Sequence, residues 1–377
     1  LEERAFWLAW SQIPGIGPVL IKRLYRHFGS LESAWEASPK ELMEVEGIGS
    51  QTVEELLPER NKCQPDRLLQ QHEQKNEHFW TPAEADYPRL LREIPDPPPV
   101  LYYCGDSKLV KDLGNLPAIA IVGTRDPSDY GRRWTRKLSS TLAQNGFVVV
   151  SGLADGIDTE AHHNCIESGG KTVAVLGTGV DVVYPWANRQ LYQEVLQNGC
   201  ALSEYPVGTQ PDRTHFPRRN RIVAGLSRAV LVIEAPKKSG ALITAYLAND
   251  YGRDVYALPG SLDNLKSKGC LILISKGAQM ILGEAELLEM LGTMPQLDYP
   301  IMDATQTQLP LIDLSAELSQ VLQSVSEIVK TTNVDAAAFD AIVNQTGMAA
   351  GSVSGALLQL EMLGLVSQLP GMRYQIH

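Results

Sequence analysis

The chain has 377 residues, 44% hydrophobic and 20% charged, which suits a globular protein of about two or three domains; no run approaches the roughly 20 apolar residues that cross a bilayer, so neither a spanning helix nor a secretory leader is expected. Five scattered cysteines (Cys63, Cys104, Cys165, Cys200, Cys270) include no Cys-x-x-Cys pair, which argues against a disulfide framework and a zinc site and for the reducing cytoplasm. A formal net charge of −11 taken alone speaks against nucleic acid, whose phosphates need Lys and Arg, but binding depends on where the charge sits.

Residues 1–57 read as a domain of short helices. Two turns of one kind, Pro14-Gly15-Ile16-Gly17 and Glu46-Gly47-Ile48-Gly49, each precede a helix, where Gly-x-Gly lets the backbone turn tightly and aims amides outward. The pattern resembles the tandem helix-hairpin-helix, or SAM-like, modules that grip DNA phosphates; glycines that only make turns would read the same. The polar stretch 58–80 is expected to be a linker, and Tyr87-Pro88 with Pro95-Asp96-Pro97-Pro98-Pro99 an extended entry into a globular body at 81–292.

In that body, short Val/Ile-rich runs at 118–122, 148–151, 172–176, 201–204, 229–233 and 255–258 alternate with helix-length amphipathic segments. Strands buried on both faces and separated by helices predict an α/β fold, a Rossmann-like doubly wound, mostly parallel sheet. Residues 293–318, with Pro295, Pro300 and Pro310, read as a second linker. Residues 319–377 read as helices closing on a hairpin around Gly371, a winged-helix domain with few basic residues and Arg373 nearly alone in its wing, better suited to docking than to DNA.

Ligands of an open parallel sheet bind at the carboxyl ends of its strands. Those exits here are Gly123-Thr124-Arg125, Ser151-Gly152, Gly177-Thr178-Gly179, Glu204, Glu234-Ala235 with Ser239-Gly240-Ala241, and Pro259-Gly260. Glycine recurs where backbone must come close to something, and the helix starts behind these turns form an anion cradle. Gly177-x-Gly179 lacks a third glycine and follows the third strand, so it does not predict NAD; Gly170-Lys171-Thr172 lacks the rest of a Walker loop, so it does not predict ATP. His162 and His163 diverge by about 100° on a helix and are no metal pair. Neither cofactor nor metal is expected.

Residues 213–228 hold five arginines and no acid in an acidic chain, with Phe216 among them. Arginine forks onto phosphate, and an aromatic ring gives an unpaired base a stacking partner. A solvated helix start with Phe216 in the core is the other reading.

Taken together, Val122-Gly123-Thr124-Arg125, Tyr130-Gly131, Ser151-Gly152-Leu153-Ala154-x-Gly156-Ile157-Asp158, Tyr184-Pro185, Ser203-Glu204, Phe216-Pro217-x-Arg219-Asn220-Arg221-Ile222, Ser239-Gly240-Ala241-Leu242-Ile243-Thr244-Ala245 and Pro259-Gly260 resemble the DprA family of DNA-processing proteins from Tyr87 to Gly283. The resemblance implies a non-catalytic homodimer that binds and protects incoming single-stranded DNA in transformation and loads RecA recombinase onto it. It implies that Gly123, Thr124 and Arg125 hold a phosphate, that Ser151 and Gly152 line the same pocket, and that Phe216 stacks on a base. It further implies that Arg219, Asn220 and Arg221 fix backbone and base edges while Asp158 and Glu234 orient them; Arg218 stands where the family varies. One departure is Leu271, where the family tends to have asparagine, in an apolar run near the family's dimer region. The rival is a nucleotide-phosphate N-glycosidase-like hydrolase on a related Rossmann-like fold, but its double glycine and following glutamate are missing at Ser239-Gly240-Ala241.

Overall fold

The apolar runs of the middle of the chain become the centre of one nine-stranded sheet in the computed structural model, which describes residues 2–76, 78–106, 109, 116–292, 316–332, 337–362, 365–369 and 373–376. Its strands are β1 (Phe79–Trp80), β2 (Leu101–Gly105), β3 (Ala118–Val122), β4 (Val148–Ser151), β5 (Thr172–Leu176), β6 (Gly199–Ser203), β7 (Ala229–Val232), β8 (Asp254–Ala257) and β9 (Gln279–Met280). They lie in the order β1-β2-β6-β5-β4-β3-β7-β8-β9. From β6 across to β9 every pairing is parallel; β2 runs antiparallel to β6 and β1 antiparallel to β2.

The period of two along each strand divides the core. Ala118, Ala120, Val122, Val148, Val150, Val173 and Val175 pack on one face, under helices His215–Leu226 and Gly240–Asp250. Ile119, Ile121 and Val149 pack on the other, against Leu138 and Leu142 of helix Asp129–Gln144 and Ile157 and Ala161 of helix Ile157–Glu167. Both faces are thus covered, as near-continuous Val/Ile runs require. The chain steps outward from β3 to β6, then crosses back so that β7 lies against β3. This reversal between β3 and β7 is the topological switch point, where the two flanking connections leave for opposite faces and open a crevice.

The front of the chain forms helices Glu3–Gln12, Pro18–Phe28, Leu31–Glu36, Pro39–Leu42, Ser50–Lys62 and Pro65–Glu73 around Phe6, Trp10, Leu24, Leu31 and Leu56. The stretch 58–80, expected as a linker, is therefore mostly structured. Leu69 is buried with Ala5, Leu8, Val100 and Tyr102; a helix held by so narrow an apolar stripe reads as polar sequence. Lys22 fastens these helices to the sheet, its Nζ donating to the carbonyls of Arg92 (3.0 Å), Glu93 (2.9 Å) and Ile94 at the end of helix Arg89–Glu93, where a cation also suits the helix dipole.

Two compact units result, Leu1–Tyr299 and Pro300–His377. In the second, helices Ala316–Thr332, Phe339–Thr346 and Ala350–Met362 pack through Val321, Val325, Leu357 and Leu360. They meet a small antiparallel sheet of β10 (Ala337–Ala338), β11 (Val366–Leu369) and β12 (Arg373–Ile376), in the order β10-β12-β11. Helices closing on a hairpin are the expected winged-helix arrangement, and Arg373 is exposed on its strand. Most of the second expected linker, 293–315, lies outside the described residues.

Candidate nucleic-acid interface

A cleft of about 710 Å³ opens at the switch point. The β3 exit gives it Gly123, Thr124 and Arg125, the β4 exit Gly152 and Asp158, helix His215–Leu226 its Phe216, Arg219 and Asn220, and the β7 exit Lys238 and Ser239.

The glycines make this convergence possible. A Cβ on Gly123 would stand 2.5 Å from the Ile157 side chain, and one on Gly156, whose φ is +80°, 2.5 Å from the Thr124 and Arg125 carbonyls. A Cβ on Gly177 would stand 2.9 Å from the Phe216 ring, so that glycine leaves the ring its seat. Leu153 has φ 57°, a left-handed conformation uncommon for a branched side chain. It is held by its burial and by Asn188 Nδ2, which donates to its carbonyl at 2.9 Å. Such backbone persists where the surroundings over-determine it, often at functional sites.

Phe216 is half-buried and lines the cleft rather than the core. Tyr184 leans on it with ring centroids 5.3 Å apart, and the Arg125 guanidinium lies 5.7 Å from its centroid. A ring with a cation on it and open space beside it offers both a stacking face and a phosphate partner.

Behind this surface lie two buried charges of opposite sign, Arg219 and Asp158, each bonded to backbone. Arg219 is 5% exposed and donates to the Gly152 carbonyl at 2.7 Å and to that of Val175. Asp158 accepts from the amides of Gly152 (3.1 Å) and Ala154 (3.4 Å). Burial pushes the Asp158 carboxyl up, against the pull of Arg219 and those amides. The two groups interlock with Gly152, since a Cβ there would come within 2.4 Å of the Arg219 guanidinium. Fully buried Glu234 likewise accepts from the Ser128 amide (2.8 Å) and hydroxyl (2.6 Å), ordering the start of helix Asp129–Gln144. Several amides of the expected anion cradle are therefore spent within the protein: those of Gly152 and Ala154 on Asp158, Thr124's on the Glu234 carbonyl at 2.7 Å, Gly131's on Ser128 Oγ. An anion in the cleft meets side chains first.

Three expected site residues are placed elsewhere. Ser151 is wholly buried beneath the cleft, its hydroxyl on the Ile121 carbonyl at 2.6 Å, because the last residue of β4 still faces the core. Arg221 is 5% exposed and pairs with Glu204 (2.6 Å) and Asp96 (3.3 Å). Arg218 reaches the same Glu204 at 3.4 Å and lines a second cavity, about 430 Å³, between the first hairpin turn and the sheet. Gly123, Thr124, Arg125, Gly152, Phe216, Arg219 and Asn220 do meet in the cleft. Tyr184, Arg213 and Lys238, to which the sequence motifs assign no role, line it too. The pair Lys237-Lys238 directly after a strand exit was the available signal.

Ile16 and Gly17 of the first turn face the second cavity, and the second turn is flanked by the exposed carboxylates of Glu44 and Glu46, with Arg23 engaged on Glu46 at 3.4 Å.

His162, fully buried below Arg219, gives the site a pH dependence. Thr172 sends its hydroxyl proton to the Val149 carbonyl at 2.8 Å, so His162 Nδ1 is the donor in their 2.7 Å contact and Nε2 carries no proton. Burial, with Arg219 adding repulsion, lowers the imidazole to about 3. Below its ordinary value of about 6.5 the unfolded chain takes up this proton and the folded chain does not, so stability decreases as the pH is lowered through that window. Urea unfolding of the parent should lose about 2 kcal/mol more than His162→Gln between about pH 7 and pH 5; equal losses would show that His162 does not set this dependence.

The family model of DNA recombination-mediator protein A matches residues 78–292, that of the DprA winged helix domain residues 305–372, and that of the SAM-like helix-hairpin-helix tandem residues 10–61. Protein Smf of Synechocystis sp. is 51% identical over 393 residues, covering 99% of this chain and 99% of that protein. The X-ray structure of DprA from Streptococcus pneumoniae superposes with a TM-score of 0.65 at 35% identity, covering 77% of this chain and 98% of that one. A Helicobacter pylori DprA structure, described by its single-stranded DNA binding mode, has a TM-score of 0.51 at 36% identity and covers 58% of this chain and 97% of that one. With the expected fold matched and family models found for the central domain and both flanking regions, the chain belongs to the DNA recombination-mediator protein A family, the DprA or Smf proteins.

Proposed function

We propose that this chain binds single-stranded DNA across the carboxyl ends of its parallel strands, protects it during transformation, and loads RecA recombinase onto it in the cytoplasm, without chemistry of its own. The observation that carries the reading is the concentration of Arg125, Arg213 and Lys238 around a half-buried Phe216 in one cleft of a chain with net charge −11. Thr124, Arg125, Arg213 and Lys238 take phosphates and Asn220 a base edge; Phe216 stacks on a base. Gly123 and Gly152 keep the space open, and Arg219 positions the β4 exit. The DNA-binding mode named for the Helicobacter pylori relative supports the choice of ligand. Duplex DNA, whose bases are already stacked, cannot offer one to Phe216.

Asp158, the carboxylate lining this cleft, faces two backbone amides rather than open space. That supports a binding protein over the N-glycosidase-like reading, which needs a carboxylate free to stabilise a cationic sugar centre. The β9 edge of the sheet, with no partner strand among the described residues, supports a homodimer. Leu262 (71% exposed), Leu265 (74%) and Leu282 (70%) follow β8 and β9 there, and Met280 stands on edge strand β9. Exposed leucines gathered at an unpaired edge invite a second copy.

The loading role is tested by following RecA filament growth on single strands already coated with a single-strand-binding protein. Adding this chain should shorten the lag. Tight oligo-dT binding with no effect on the lag would leave DNA binding standing and remove loading.

A further inference from the structure

Of the six tryptophans, Trp186 alone is exposed, at 69%. It sits on the short turn Trp186–Asn188, two residues past Tyr184 of the DNA cleft. Leaving so large an apolar ring in water forgoes the gain of burying it. The Arg189 guanidinium lies 5.2 Å from the ring centroid, so the exposed ring carries its own cation. Together they form one wall of a groove of about 460 Å³, whose other wall includes Gln210 and Pro211.

Two stretches of chain run from the main cleft to this groove. Along one, Pro185 lines a narrow pocket beside the cleft with Arg125, Asp155, Tyr184 and Phe216, and Trp186 is the next residue. Along the other, Arg213 lines the cleft and Gln210 and Pro211 the groove, all on the segment entering helix His215–Leu226. Asp181, also in the groove, accepts the Gly208 amide at 2.8 Å, which offsets its charge. An aromatic ring, a stacked guanidinium and the side-chain amides of Gln193 and Gln210 repeat the chemistry of the Phe216 site in weaker form.

We infer that Trp186 and Arg189 form a second stacking station, which takes a base of the same strand after it leaves Phe216 past Tyr184 and so lengthens the single-strand track. This rests on the proposed DNA-binding reading of the main cleft. The occupant is nucleic acid rather than an acidic protein because the groove lies one residue past the cleft's Tyr184-Pro185 wall and offers a flat ring, the partner of a base, with one cation beside it.

The test titrates oligo-dT of about 4 and about 16 nucleotides, spanning common single-strand site sizes, into the full chain, Trp186→Ala, Trp186→Phe and Phe216→Ala. Trp186→Ala should weaken the long oligonucleotide roughly fivefold or more, the lower end of a lost base stack, and leave the short one unchanged. Trp186→Phe should keep most of the long-oligonucleotide affinity. Long oligo-dT should quench the emission of the parent by an amount missing from Trp186→Phe. Unchanged long-oligonucleotide affinity in Trp186→Ala, beside a loss in Phe216→Ala, would overturn the second station and keep the first. Equal losses for both lengths in Trp186→Ala would overturn it too, by placing the effect in the main cleft. A parent that binds neither length overturns both readings.

Discussion

Arg219→Ala should cost about 3–5 kcal/mol of folding stability, the penalty for leaving a buried charge without its partner. The arginine is only 5% exposed, at the back of the cleft. It holds the Gly152 and Val175 carbonyls and offsets Asp158, itself only 8% exposed. Removing it takes a donor from two carbonyls and leaves one buried carboxylate without its neighbouring cation where β4 and β5 leave the sheet. Urea unfolding of the parent, Arg219→Ala, Asp158→Asn and the double variant separates these contributions. The double variant should regain about 1–3 kcal/mol relative to the sum of the single losses, since it no longer buries an unpaired carboxylate. Strict additivity would show that Arg219 serves the carbonyls alone. Gly152→Ala should behave like a mild Arg219 variant, because its Cβ displaces the guanidinium.

Phe216→Ala should weaken oligo-dT binding by about 1–3 kcal/mol, roughly 5- to 150-fold, with little change in melting temperature. The ring is half-buried in the cleft wall, so removing it creates no closed cavity in either core layer. The preference for single-stranded over duplex DNA should shrink with it, whereas Arg125→Ala should weaken single and double strands alike and flatten the salt dependence by about 0.7 in log–log slope for one lost phosphate contact. If Phe216→Ala binds oligo-dT as tightly as the parent, the ring is not a stacking platform.

Much of this architecture is legible in the amino-acid sequence. Four of the six central strands, β3, β4, β5 and β7, are short Val- or Ile-bearing runs buried along their whole length, a pattern that tolerates few other placements, while β6 is small and apolar without Val or Ile and β8 starts exposed at Asp254. The cleft's position follows from them, because the exits Gly123-Thr124-Arg125 and Glu234-Ala235 fall at the switch point that the strand order creates. Strands β1 and β9 are two residues long, too short to show a period, and helix Pro65–Glu73 hides behind its polar faces.

The arginine strip shows where one-dimensional reading stops. Residues 213–228 look like a single basic surface, yet residues three and four apart share a helix face and adjacent ones do not. Phe216 and Asn220, four apart, turn to the cleft. Arg218 and Arg221, three apart, turn together to Glu204. Arg219 points inward between them. The helical period separates these faces, but the acid that receives two of the arginines comes from the end of β6, a partner known only once the sheet is assembled.

The measurement that tests the central claim most directly is the fluorescence anisotropy of labelled oligo-dT titrated with the full chain at two salt concentrations, with unlabelled single-stranded and duplex DNA of one sequence as competitors. Tight binding that weakens as salt rises, and single-strand competition much stronger than duplex competition, is the predicted result. Absence of binding at low salt, or equal competition by duplex, would contradict a single-strand track at the strand exits.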